Sequence, residues 1–137
     1  CDRAVGNELV RHRIASYSQE STRYCSYGKE KFGREISVIE PPGMTEKATV
    51  AWRSAVVEAE ICYMSMLDGG AAPQIARSVL PLCLKTEIVF SMNYRSLKHF
   101  LQLRTAPAAH PQMREIAKMV EDILVNVAPV IFKKETP

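Results

Sequence analysis

The run Arg11-His12-Arg13-Ile14-Ala15-Ser16-Tyr17-Ser18-Gln19-Glu20-Ser21-Thr22-Arg23-Tyr24 constrains this chain more than any other stretch. It packs three arginines, one histidine and three serines into fourteen positions. That is too polar for a core element, so the fold must carry it on its surface or around a cavity. Arginine forks bind phosphate and carboxylate oxygens in bidentate fashion, and serine hydroxyls add further hydrogen bonds. The composition therefore suits an anion with a planar polar head, such as a nucleotide. A solvated surface loop is the plain alternative for an Arg/Ser stretch.

The chain of 137 residues is long enough for one domain with a real core. Charged residues make up 24% and the net charge is +3. This reads as a globular chain whose clustered arginines matter more than its total charge. Of the four cysteines, Cys1, Cys25, Cys62 and Cys83, no two form a Cys-x-x-Cys pair, which argues against zinc. Cys62 and Cys83 sit among apolar neighbours and are expected to be buried free thiols, as in a reducing cytoplasm. Cys25 has no base at a meaningful spacing and is not read as a nucleophile. No apolar run is long enough to span a membrane, and no secretory signal is visible.

Local signals divide the chain. Asp2 is positioned to cap a helix through about Val10, with Ala4, Val5 and Leu9 as its apolar positions. The arginine run then reads as a loop or irregular strand. Gly28 and Gly33 punctuate the next stretch, and Ile36 to Ile39, stopped by Pro41-Pro42, reads as a short strand. Thr45 caps a long helix to about Leu67, where Val56, Ala59, Tyr63 and Met66 recur at helical spacing. Pro73 opens a short helix through Val79. From Leu84 to Met92 apolar and polar residues alternate as in a half-buried strand. A helix over Tyr94 to Arg104 turns Leu97, Phe100 and Leu101 inward and sets Arg95 and His99 one turn apart. Pro111 opens the last helix, with Ile116, Met119, Val120, Ile123 and Leu124 as its apolar stripe. The tyrosines Tyr17, Tyr24 and Tyr27, with Trp52, are assigned to packing. The fold class is α+β, a mixed sheet packed with helices.

Two blocks resemble a known family. Arg11-His12-Arg13, Ser16, Ser21 and Arg23 are similar to the signature of flavin-dependent thymidylate synthases, with Ser18 standing where that signature has Asn. Asn93-Tyr94-Arg95-Ser96-Leu97-Lys98-His99-Phe100-Leu101-Gln102-Leu103-Arg104 resembles the family's downstream segment, and Arg77 with Leu80-Pro81-Leu82 resembles the stretch before it. The resemblance runs from the first residue to about Arg114. It makes residues 1–137 a single domain, the larger C-terminal part of such an enzyme. The chain opens on Cys1-Asp2-Arg3 without Met, whereas relatives carry a substantial segment here that adds flavin contacts. A fragment or truncated version is the expectation.

The resemblance implies reductive methylation of dUMP to dTMP, with methylenetetrahydrofolate as carbon donor and FAD, reduced by NADPH, as hydride source. It implies a homotetramer with active sites between subunits. The family's flavin contacts fall on Arg11, His12, Arg13, Ile14, Ser18, Asn93, Arg95 and His99. Its dUMP contacts fall on Glu8, Ser21, Thr22, Arg23, Arg77, Leu103 and Arg104. Among these, Ser21, Thr22 and Arg77 would hold the phosphate, and Arg23 and Arg104 would address the uracil. Ser21, Arg23 and Arg104 are the candidates for the reacting centre, with Ser21 as a binding group rather than a nucleophile. His12, flanked by two arginines, is expected to be neutral. Glu8, an acid beside a phosphate, would need an intervening arginine. Ser18 reaches less far than an Asn, so its contact would need a bridging water.

Two readings from other classes stand beside this one. The same arginines with interleaved tyrosines could serve a non-catalytic nucleotide or single-stranded RNA binder. The chain could also be a truncated assembly subunit without turnover. On the enzyme reading no nucleic acid and no membrane is a partner.

Overall fold

A computed structural model describes residues 1–24, 27–28 and 33–133. The elements follow in the order α1 (Arg3–Leu9), β1 (Ala15–Gln19), α2 (Glu46–Asp68), α3 (Pro73–Ala76), β2 (Ile88–Met92), α4 (Tyr94–Arg104), α5 (Pro111–Val127) and α6 (Pro129–Phe132). A 3₁₀ turn, Arg77–Val79, continues α3. The fold is α+β. Among the described residues the expected mixed sheet amounts to β1 and β2, paired antiparallel, and two isolated antiparallel bridges. The chain forms two compact units, one of Cys1–Gly6 and Ser18–Val89, the other of Asn7–Tyr17 and Phe90–Pro137.

Capping chemistry sets most helix starts. The Asp2 carboxylate accepts the Val5 N–H at 2.7 Å, satisfying one orphan donor of α1. The Thr45 hydroxyl accepts from Ala48 N at the head of α2, as its position before the helix predicts. Proline occupies the first turn of α3, α5 and α6, where its missing N–H costs nothing. Helix α2 stops at Gly69-Gly70; Gly70 takes φ +87°, and Ala71 N–H returns to the Met66 carbonyl. That left-handed step suits glycine and closes the helix end.

The first unit is built on a core of Tyr27, Ile36, Tyr63, Ala76 and Leu84. The α2 stripe read from the sequence places Tyr63 fully inside, with Val56 and Met66 packed against the cluster. Residues 36–39 differ from the expected strand. Val38 makes a single bridge with Leu84, flanked by bonds from Ile39 N to Cys83 O and Lys85 N to Ser37 O. The expected strand over 84–92 is likewise shorter. Leu84 and Lys85 make single bridges, with Val38 and Asp2, so the ladder with β1 begins only at Ile88. Side-chain alternation persists through the whole stretch because it needs only extended backbone, not one continuous partner.

In the second unit α4 buries Leu97, Phe100 and Leu101, the three residues expected inside. Helix α5 buries Gln112, Met113 and Ala117, while Met119 and Ile123 of the expected stripe are 60% and 61% exposed. Its apolar arc is wider than the α4–α5 contact, so the outer line is left uncovered in this chain. Phe132 of α6 is buried, with the Tyr94 ring edge-on at 5.6 Å.

Candidate functional site: an arginine-lined cleft

The arginine run begins where α1 ends. Arg11 and His12 donate their backbone N–H groups to the Glu8 and Leu9 carbonyls, turning the chain out of the helix. The Tyr17 hydroxyl then lies 2.9 Å from the Leu9 carbonyl and 2.8 Å from the His12 carbonyl, donating to the pair. A tyrosine five positions downstream thus clamps the turn that carries His12. Burial pushes the Tyr17 hydroxyl's pKa up. The clamp is seated by rings: Tyr17 packs on Phe90 at 6.4 Å, Phe90 on Phe100 at 6.3 Å, and Phe100 meets the His12 ring edge-on at 5.2 Å. Sequence reasoning gave Tyr17 only a packing role; its hydroxyl contact has no local signature.

Arg11, His12, Arg13 and Ile14 form one wall of a cleft of about 500 Å³; Arg95, Ser96, His99, Leu103 and Arg104 from α4 form the other. The helical repeat sets Arg95, His99 and Leu103 four apart on one face. The walls mix guanidinium groups with the apolar flanks of Ile14 and Leu103.

Arg104 is the most constrained of these cations. Its Nη1 donates to Glu8 Oε2 at 2.7 Å, its Nε donates to His12 Nε2 at 3.0 Å, and its Nη2 approaches the Glu8 carbonyl at 3.5 Å. Accepting at Nε2 makes His12 the Nδ1–H tautomer. The His12 pKa is lowered, as expected, but for other reasons than its flanking arginines: burial first, then the charges of Arg104 and His99. Glu8 is thus paired with Arg104.

The remaining predicted residues sit elsewhere. Asn93 caps α4, its Oδ1 accepting from Ser96 N at 2.8 Å, and is not among the lining residues. An Asn immediately before a helix start signals that role. Ser18 is exposed on β1 and belongs to the first unit. That unit also holds Ser21, Thr22, Arg23 and Arg77. Arg77 Nη1 donates to Thr22 Oγ1 at 3.4 Å, Arg23 Nη2 to Gln74 Oε1 at 3.5 Å, and Ser21 Oγ accepts from Arg23 N at 3.3 Å. The Arg23 guanidinium also lies 5.6 Å from the centre of the exposed Tyr24 ring. Gln74, three residues before Arg77, went unnoticed in the sequence.

Cys1, Cys62 and Cys83 are free thiols and half-buried; for Cys62, on α2, and Cys83, in the 81–84 turn, this corrects the expected full burial, since neither element is enclosed on all sides. Burial still pushes the Cys83 pKa up. Cys25 lies outside the described residues. Among the described residues no helix is long and apolar enough to cross a membrane, and no cluster of His, Cys, Asp or Glu could hold a metal ion.

Fold and site together define an α+β protein with an arginine-lined cleft built on an Arg-His-Arg turn and one helix. The chain matches the thymidylate synthase complementing protein family over residues 1–130. It is 38% identical to the flavin-dependent thymidylate synthase of Geobacter sulfurreducens, over 98% of this chain and 57% of that protein. It is 34% identical to the enzyme of that name from Pyrococcus furiosus, over 96% and 55%. For the one from Saccharolobus solfataricus the identity is 37%, over 98% and 50%. The chain belongs to this family and spans about half the length of the relatives it matches.

Proposed function

We propose that the chain is part of a thymidylate synthase that methylates dUMP to dTMP reductively. Methylenetetrahydrofolate would be the carbon donor, FAD the flavin and NADPH the reductant. The observation that carries this reading is the gathering of Arg11, His12, Arg13, Ile14, Arg95 and His99 around one cleft. A flavin fits the donor set. The cleft, about 500 Å³, has the size of a cofactor site, cations suited to phosphates, and apolar flanks suited to a planar ring. When bound, the reduced flavin would supply the hydride that a site poor in nucleophiles cannot.

The protein's own residues would bind and orient. Arg11, Arg13 and Arg95 would take anionic oxygens; neutral His12 would offer its Nδ1–H; His99 and Ile14 would flank the ring. Ser18 and Asn93 would contribute least, Asn93 because its side-chain oxygen is committed to the α4 cap. Ser21, Thr22 and Arg77 would hold the nucleotide phosphate, Arg23 and Leu103 its base. Arg104 would stabilise negative charge developing on a uracil oxygen. Self-association as a homotetramer is supported by the uncovered apolar line Met119, Ile123, Val127 and Val130, 60% to 99% exposed. We place the protein in the cytoplasm.

The test is the visible spectrum after FAD is added and the excess removed, followed by dUMP-dependent NADPH oxidation. A retained flavin band with dUMP-dependent turnover is expected. A folded, colourless protein would refute the flavin reading of the cleft.

A further inference from the structure

Arg104 has five N–H donors, and three are taken within the chain, by His12 Nε2, Glu8 Oε2 and the Glu8 carbonyl. One N–H is left on each terminal nitrogen. A free arginine on a helix end samples many rotamers; this one is held by acceptors from two residues, Glu8 and His12. Its side chain is 22% exposed and that of Glu8 36%, so the ion pair is partly shielded from water and stronger than a surface pair. From these contacts we infer that Glu8 is the positioning residue of Arg104: its carboxylate, working against His12, fixes the guanidinium plane and so sets the direction of the N–H left on each terminal nitrogen.

The consequence is chemical selectivity. A guanidinium already paired with a carboxylate is a poor partner for a dianionic phosphate and a better one for a neutral carbonyl that gains charge during reaction. The remaining donors therefore suit the carbonyl oxygen of an imide or amide head, such as a pyrimidine base. Glu8 acts through Arg104 rather than by touching the ligand, a different role from the direct nucleotide contact that the family resemblance implies. The selectivity rests on the thymidylate synthase reading; the positioning does not.

Two variants separate the roles. Glu8→Met keeps side-chain length and helix propensity but removes the acceptor; Glu8→Gln keeps an acceptor and removes the charge. In the ligand-free full chain, ¹⁵N NMR of Arg104 Nε–H and of the His12 ring reads the geometry directly. We expect a protected Arg104 Nε–H signal and an acceptor-type His12 Nε2 in the unsubstituted protein and in E8Q, and loss of both in E8M with circular dichroism unchanged. Signals unaltered in E8M would overturn the positioning role whatever the protein catalyses. In turnover, E8M should lower kcat about 100-fold, the scale of a misplaced catalytic group, with KM for dUMP little changed and most of kcat restored in E8Q. A rise in KM at constant kcat would overturn it in favour of direct nucleotide binding. If the unsubstituted chain makes no dTMP, the enzyme reading fails alone, and the ¹⁵N signals still decide the Glu8 role.

Discussion

The arginines of the two units differ in what holds them. In the second unit, Arg104 is half-buried and gripped by Glu8 at 2.7 Å and His12 at 3.0 Å. In the first, Arg23 and Arg77 are exposed and reach Gln74 and Thr22 only at 3.5 and 3.4 Å. A side chain fixed before the ligand arrives loses little entropy on binding, whereas a loose arginine gives up to about 2 kcal/mol of rotamer freedom. The first cluster suits a charge that it can follow as it settles, such as a phosphate. The second suits a group that must be met at a set angle.

This contrast can be broken by substitution. On the proposed function, Arg104→Ala should cost the most, at least about 100-fold in dTMP formation, because the donor proposed to meet developing charge is lost. The flavin band should survive, and near-normal turnover would remove Arg104 from the reacting centre. Arg77→Ala should raise the dUMP dissociation constant about tenfold, the value of one charge-assisted hydrogen bond, and leave kcat nearly unchanged at saturation. Equilibrium titration reads this, and an unaltered constant would take Arg77 out of the phosphate cluster. Tyr17→Phe should cost about 1 kcal/mol of stability through the unclamped Leu9 and His12 carbonyls, seen in a denaturant midpoint at unchanged m-value. The same substitution should weaken FAD retention if the turn forms a cleft wall.

The smallest effect is the pH response of His12. Its pKa is lowered from 6.5 in the fold, so below that pH the unfolded chain takes up a proton that the folded chain resists. Stability from this residue is complete above 6.5 and is lost as pH falls through the folded value. His12→Gln should flatten that part of the stability curve, and an identical slope would show that another group titrates there.

How much of this was legible depended on range. Asp2, Thr45 and Pro73 announced their helices because a cap or a first-turn proline acts within three or four residues. Arg95 and His99 were placed on one face by helical spacing alone. The strand over 84–92 was overread because alternation reports an extended half-buried backbone and not the length of a ladder. The stripe on α5 was overread because an amphipathic pattern states that a face is apolar and leaves open which part of it a neighbour covers. Asn93 shows the reverse, a local cap signal that the sequence reading passed over.

By itself, the sequence determined the starts of the helices from α1 to α5, the inward side of α4 and the family, all of which rest on short-range spacing and on motifs. Only the tertiary structure decided that Glu8 and Arg104, 96 positions apart, form an ion pair. It alone decided that burial first, then the charges of Arg104 and His99, rather than Arg11 and Arg13, lower the His12 pKa. Capping and propensity act over a few residues, whereas the neighbour of a charge is chosen by packing, and the field at a titrating ring comes from whatever packing brings close.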